Sequence, residues 1–377
     1  MEALRQKALA SLQKNLLLTQ QGRFFAAGGH QFRTLWVRDF CYSVPGLIHG
    51  GYADVVANQL HLIKSHVDSN GFLPRGLDVT NPKTRVVWNS FLPTFAFPKS
   101  YTKNKLKPEF LGEHQTSAFD SNLLFIKACC QLAALTQQPL PITPKVAAEL
   151  LKVYHFNSEG LIEQPAYSDW QDSVRREGVL LLTQLLYLEV CALLRPFGIS
   201  PIPATTLEKL ETQITAKFYS NDLFREQVDS ERLSLDSHLL FLSSENILPH
   251  ISKKNVFAAL KKAKLWQMDL CPGVPVHPFY NPKNISWTTK MVGLRHYHDG
   301  FYWGWLIADC HRIAKLMGDT EEAERIANKF AESIYSDAFM AEIYEVNRGL
   351  LRPVSRRFYQ SESPFTWTSA KWLEALA

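Results

Sequence analysis

Apolar residues recur at three- and four-residue spacing along most of the chain, beginning with Leu4, Ala8 and Leu12, and this 3.6-residue period predicts about twelve helices. They fall near 2–18, 40–49, 52–67, 116–136, 143–154, 178–196, 203–219, 232–243, 252–264, 299–317, 319–335 and 364–376, bounded by local stop signals. No convincing series of strands competes, so the predicted fold class is all-α. The connections are of two kinds. Short turns such as HGGYAD, RPFGISP and LMGDT alternate with long segments near 19–39, 69–115, 155–177, 220–231, 265–298 and 336–363. If neighbouring helices pack antiparallel, strict alternation gathers all the long segments, with any small irregular or β elements they hold, on one face. Long connections in a compact domain are usually functional, which makes that face the expected site.

Twelve helices alternating in this way suit six helical hairpins closed into an (α/α)6 toroid, one catalytic domain over residues 1–377, with inner helices pointing their ends at a central pocket. An open α-solenoid also stacks helix pairs, but the chain shows no fixed period of the tandem-repeat kind. Closure itself is not legible in the sequence.

Composition narrows the function. With 46% hydrophobic and 20% charged residues, the 377-residue chain reads as an ordinary globular protein with a large core. The net charge of +5 comes from 41 basic and 36 acidic residues scattered without a basic stripe, so no nucleic-acid partner is expected. Thr183, Gln184 and Glu189 interrupt the longest apolar segment, Val179 to Leu194, which therefore reads as a buried helix and not a membrane span. The first residues lack a signal-peptide pattern, and Cys41, Cys129, Cys130, Cys191, Cys271 and Cys310 form no CxxC pair, so a reducing, cytoplasmic setting is expected. No phosphate-cradling glycine loop and no HExxH spacing occurs, and neither cofactor nor metal is expected.

The long segments carry WVRDF (36–40), GEHQTSAFDSN (112–122), YSDWQDSVRREG (167–178), GLRHYHDGFYWGW (293–305), AEIYE (341–345) and SPFTWTSAKW (363–372). Aromatic rings beside carboxylates, Arg and His suit a carbohydrate, whose C–H faces stack on rings and whose hydroxyls need bidentate partners. Cleaving a glycosidic bond needs two carboxyl groups, one to protonate the leaving oxygen and one to activate water when configuration inverts. Asp39, Asp120, Asp169, Asp172, Asp299, Glu342 and Glu345 all qualify by position, and spacing does not rank them. Structural roles compete for each. Arg38 and Asp39 suit an ion pair at a helix start, Asp120 suits a helix cap, His296 and His298 suit core histidines, and Trp303, Trp305, Trp367 and Trp372 suit core filling. Arg175 and Arg176 suit a solvated face or a bias of nearby acids toward ionisation.

These motifs, in this order from about residue 34 to the C-terminus, resemble those of the six-hairpin glycosidases, especially amylo-alpha-1,6-glucosidases and neutral invertases and more distantly glucoamylases. The resemblance implies that DWQD carries the general acid at Asp172 beside Trp170, and that AEIYEV carries the general base at Glu342, with Glu345 at the acidic position that follows. It further implies substrate binding by Trp36, Arg38, Asp39, Asp120, Tyr297, His298, Trp303 and Trp367, with Asp299 replacing the family's usual Asn. The expected activity is inverting hydrolysis of an α-glucosidic or sucrose-like bond, with Trp170 desolvating Asp172 so that it keeps its proton. Two other classes stay open: a sugar isomerase or epimerase working through HYH at 296–298, and a carbohydrate-binding protein without turnover.

Overall fold

The computed structural model describes residues 1–80, 84–85, 88, 99–267 and 270–377; parts of the long segments near 69–115 and 265–298 lie outside the described residues. All twelve expected helices are present. In chain order they are α1 (Glu2–Asn15), α2 (Val37–His49), α3 (Ala53–Lys64), α4 (Ser121–Thr136), α5 (Pro144–Leu151), α6 (Leu181–Leu194), α7 (Ala204–Phe218), α8 (Leu235–Ser243) and α9 (Lys253–Lys262), then, after an unexpected short helix α10 (Trp287–Met291), α11 (Gly304–Leu316), α12 (Thr320–Ser333) and α13 (Thr366–Ala375). Two expected helices begin late because their first residues are held extended by strand pairing. Tyr302–Trp303 pairs antiparallel with Ile343–Tyr344, and Leu233–Ser234 with Val276–His277. Likewise α1 ends early because Leu16–Thr19 folds onto Gly22–Phe25.

Burial divides the helices into two sets. Helix α6 buries twelve of its fourteen residues, Thr183, Gln184 and Glu189 among them, as a helix surrounded on all sides must. Helix α12 instead buries Ala323, Ile326, Ala327 and Phe330 along one stripe and turns its acids outward. The packing shows why. Helices α2, α4, α6, α8, α11 and α13 each contact the next, and α13 returns to α2, which closes the ring. Helices α3, α5, α7, α9 and α12 lie outside their hairpin partners, while α1 packs on α13 and completes the sixth pair from opposite ends of the chain. The fold is the toroid of six hairpins.

Neighbouring inner helices are also joined by ion pairs: Lys127 of α4 to Glu189 of α6 at 2.7 Å, and Lys371 and Glu374 of α13 to Asp309 and Arg312 of α11 at 3.3 and 3.5 Å. A charge this deep is tolerated only when paired, so these contacts fix which helix faces which. Every long connection leads into an inner helix, which places all six inner N-termini on the loop-rich face. All six cysteines are free and buried, and no helix among the described residues is long and apolar enough to cross a membrane.

The ring closes at its tightest where Gly46 of α2 meets the backbone of α13, since a Cβ there would overlap the carbonyl oxygen of Ala370. Replacing a helix-interior Gly with Ala normally stabilises by about 1 kcal/mol. Gly46→Ala is expected to do the reverse, lowering the unfolding free energy by about 1–3 kcal/mol through overpacking, as measured by denaturant titration. An unchanged or higher stability contradicts this account of closure.

Candidate active site

At the loop-rich end of the ring lies a cavity of about 150 Å³. Ten of the eleven residues picked from the sequence line it: Trp36, Arg38, Asp39, Trp170, Asp172, Tyr297, His298, Trp303, Glu342 and Trp367. They come from four separate connections and the first turns of inner helices, brought together by ring closure. Phe32, Arg75, Ala118 and Phe365 also line it and were not foreseen.

Asp120 is the exception. It stands at the N-cap position of α4, yet its side chain makes no cap hydrogen bond. Buried at 2% exposure, it accepts instead from Arg38, whose Nε and Nη2 donate to its carboxylate at 2.8 and 2.9 Å. It lies behind the cavity wall, so both expected roles, sugar ligand and helix cap, are replaced by that of an anchor for Arg38. The Arg38–Asp39 ion pair suggested by sequence is therefore not the one formed. Held from below, Arg38 presents Nη1 to Asp172 at 3.4 Å, while Arg75 Nη2 donates to the same Asp172 oxygen at 3.0 Å. Arg75 is itself fixed by Glu109 at 3.5 Å and by stacking over the Trp36 ring, which Arg85 covers as well.

The surroundings of Asp172 differ from the expectation. Its side chain is 34% exposed at the mouth and ion-paired to two guanidinium groups, because Trp170 turns its indole N–H away to the buried Asp236. Trp170 forms the hub of the wall instead, edge-on to His298, Trp303 and Trp305 at 5.2–5.3 Å. Trp367 stacks on Trp305 and Tyr42, and His298 stacks on Trp303 while bonding Ser173 at 2.8 Å. Burial holds His298 well below the usual histidine range, so the ring is neutral.

The carboxyl that keeps a proton is Glu342. It is 2% exposed, and burial pushes it up to about 8 even though Tyr297 and Tyr359 donate hydroxyls to its two oxygens at 2.5 and 2.7 Å. Burial likewise raises Asp39, in the first turn of α2, and Glu362 to about 7 each. Glu362 lies beneath the rim, accepting backbone N–H groups of His30 and Phe32 and so setting Phe32 into the wall. Glu345 points elsewhere, into a bidentate pair with Arg356 at 2.6 and 2.8 Å. Alternate residues of an extended segment face opposite sides, and three positions separate Glu342 from Glu345, so only one of them can face the cavity.

The other sequence candidates serve the scaffold. Asp299 accepts from the backbone of Tyr280 and pairs with His296, Asp169 and Glu226 pair with the buried Arg176, and Trp372 stacks on Phe330 in the core. Arg175 stays at the surface with Glu177. No cluster of three or more metal-ligating side chains occurs among the described residues. Tyr359, a donor to Glu342, had no sequence signal beyond membership of a long connection.

Buried carboxyls with raised values, Asp39, Glu342 and Glu362 foremost, make stability depend on pH. The folded chain retains protons at Asp39, Glu342 and Glu362 that the unfolded chain releases near its ordinary values of 3.8 and 4.5. Their contribution is fully present below those values and is lost as pH rises through about 7–8. The melting temperature is expected to fall between about pH 6.5 and 8, above the range in which the histidines that burial lowers take up protons on unfolding, and to fall less in Glu342→Gln, whose amide does not ionise. An increase over that interval, or equal slopes in both proteins, contradicts the burial of these protons.

No protein-family model and no curated protein sequence matches the chain. Solved structures do. A rhamnosidase from Klebsiella oxytoca with rhamnose bound superposes with a TM-score of 0.66 at 13% identity over 98% of this chain, which spans 62% of the rhamnosidase chain. A glycosidase variant in complex with glucose gives 0.62 at 16% identity over 99% of this chain and 95% of its own. A GH63 mannosylglycerate hydrolase from Thermus thermophilus in complex with Tris gives 0.62 at 11% identity over 99% and 100%. At such identities the likeness is one of fold: the chain has the six-hairpin architecture that these solved glycosidases share.

Proposed function

We propose that the chain is an inverting glycoside hydrolase acting on an α-glucosidic or sucrose-like bond. The observation that carries the reading is the meeting of two carboxyl groups from separate connections, Asp172 and Glu342, in one aromatic-walled cavity. The cavity, at about 150 Å³, has room for on the order of ten water-sized groups. That is the size of one sugar ring with its hydroxyls, so a single terminal unit enters and the rest of the substrate projects from the mouth.

Position supports one division of the roles. The glycosidic oxygen joins the enclosed ring to the part outside, so the group at the mouth, Asp172, protonates it. Glu342, enclosed and gripped by two tyrosines, faces the water that attacks the other side of the ring. The reaction begins with the proton on Asp172, and a substrate filling the mouth removes water from around it, which favours a neutral carboxyl. Burial raises Glu342 while Asp172 is ion-paired to two arginines, which favours a second reading with the two roles exchanged. The isomerase reading has less support, since His298 is 2% exposed and bonded to Ser173.

Asp172→Asn and Glu342→Gln are each expected to lose about 10²–10⁴ in turnover on whichever glycoside the wild type cleaves. A glycosyl fluoride needs no proton on its leaving group, so it restores turnover in Asp172→Asn and not in Glu342→Gln. Rescue of Glu342→Gln alone reverses the roles. Near wild-type turnover of either variant on the unactivated glycoside removes that residue from the reaction.

A further inference from the structure

Trp287 is 64% exposed and Met291 is 67% exposed, one turn apart on α10 and therefore on the same face of it. So much apolar surface held out in water is unusual and often marks a binding site. The backbone beneath it is firmly placed. Ser286 N–H donates to the carbonyl of Ser173 at 2.8 Å, and Ile285 forms a bridge with Val174, so the residue before Trp287 is bonded to the residue after Asp172. The hydroxyls of Ser286 and Thr288 donate to Glu113 at 3.3 and 2.6 Å. Beyond the helix, Gly293 packs against the side chain of Arg356, three residues before the Tyr359 that grips Glu342. The turn carrying Trp287 is thus tied to both segments that hold the two acids.

We propose that Trp287, with Met291 beside it, is a stacking platform for a sugar ring on the leaving-group side of the bond, so that the preferred substrate is an oligosaccharide and not a glycoside with a small aglycone. The inference rests on the hydrolase reading with Asp172 as the acid, because the leaving group emerges next to the residue that protonates it. An exposed indole matches the C–H face of a pyranose, and Glu113, Ser286 and Thr288 next to it offer partners for hydroxyls. The apolar surface is only one indole and one thioether wide, and the backbone beneath it is bonded to the residue that follows Asp172. It therefore suits one ring of a bound substrate better than the face of a protein partner.

The test compares α-glucosyl fluoride, which has no leaving-group ring, with maltotriose. Trp287→Ala is expected to lower kcat/KM on maltotriose by about tenfold and on the fluoride by less than about twofold, with Trp287→Tyr retaining most activity on both. Equal losses on both substrates, or no loss on maltotriose, overturn the platform. So does a wild-type dimer in analytical ultracentrifugation that Trp287→Ala dissolves. If the wild type cleaves neither compound, the α-glucosidic form of the hydrolase reading has failed, and the platform is read instead from indole fluorescence during titration with maltotriose. A saturable change lost in Trp287→Ala supports it; no change in the wild type overturns it.

Discussion

The close approach of α2 and α13 at Gly46 and Ala370 turns six hairpins into a ring, and the position of every residue at the site follows from it. Were the ring open, the connections carrying Asp172 and Glu342 would lie along a curved surface without a shared cavity. Closure also fixes direction. Each inner helix begins at the loop-rich face, so six positive helix ends surround the cavity, and acids occupy several of them: Asp39 and Asp236 in first turns and Asp120 just before α4. The ion pairs between inner helices farther down the ring keep the same neighbours together.

Charge at the site is organised through Arg38. Its guanidinium is locked to Asp120 on the inner side and reaches Asp172 on the cavity side, so a carboxylate that never meets the cavity determines where the one at the mouth is held. Arg75 does the same from the other flank, supported by Glu109 and Trp36. Glu342 is treated in the opposite way, being buried among tyrosine hydroxyls with no ion pair among the described residues, and burial raises it above the usual carboxylate range. The difference between the two acids is what a reaction with distinct proton donor and acceptor requires.

Helices with a long periodic pattern were legible because packing and propensity agree there, as in α6 and α12. The starts of α8 and α11 were not, since Leu233–Ser234 and Tyr302–Trp303 continue the apolar pattern while tertiary pairing holds them extended. The site was legible wherever chemistry clusters in sequence, as in WVRDF, DWQD and RHYHDGFYW. Arg75 was not, because LPRGLD contains no companion residues of the same kind; its partners Glu109 and Asp172 are distant in sequence. Asp120 was legible as important and misread in role, since its distance to Arg38 of 2.8 Å spans 82 positions of chain. Glu342 and Glu345 were separable in principle: an extended segment at 343–347 sends them to opposite faces, a signal hidden once the stretch is taken as loop.

The central claim is that Asp172 and Glu342 act from two sides of a bound sugar ring with water entering between ring and base. Its most direct measurement is the configuration of the first sugar released from sucrose, maltose, isomaltose, trehalose and maltotriose, followed by proton NMR before mutarotation. Single displacement by water predicts that an α-glucoside yields β-glucose first. Initial release of the attacked glucosyl unit as α-glucose, apart from any glucose that departs as the leaving sugar, or no cleavage of any of the five, contradicts it.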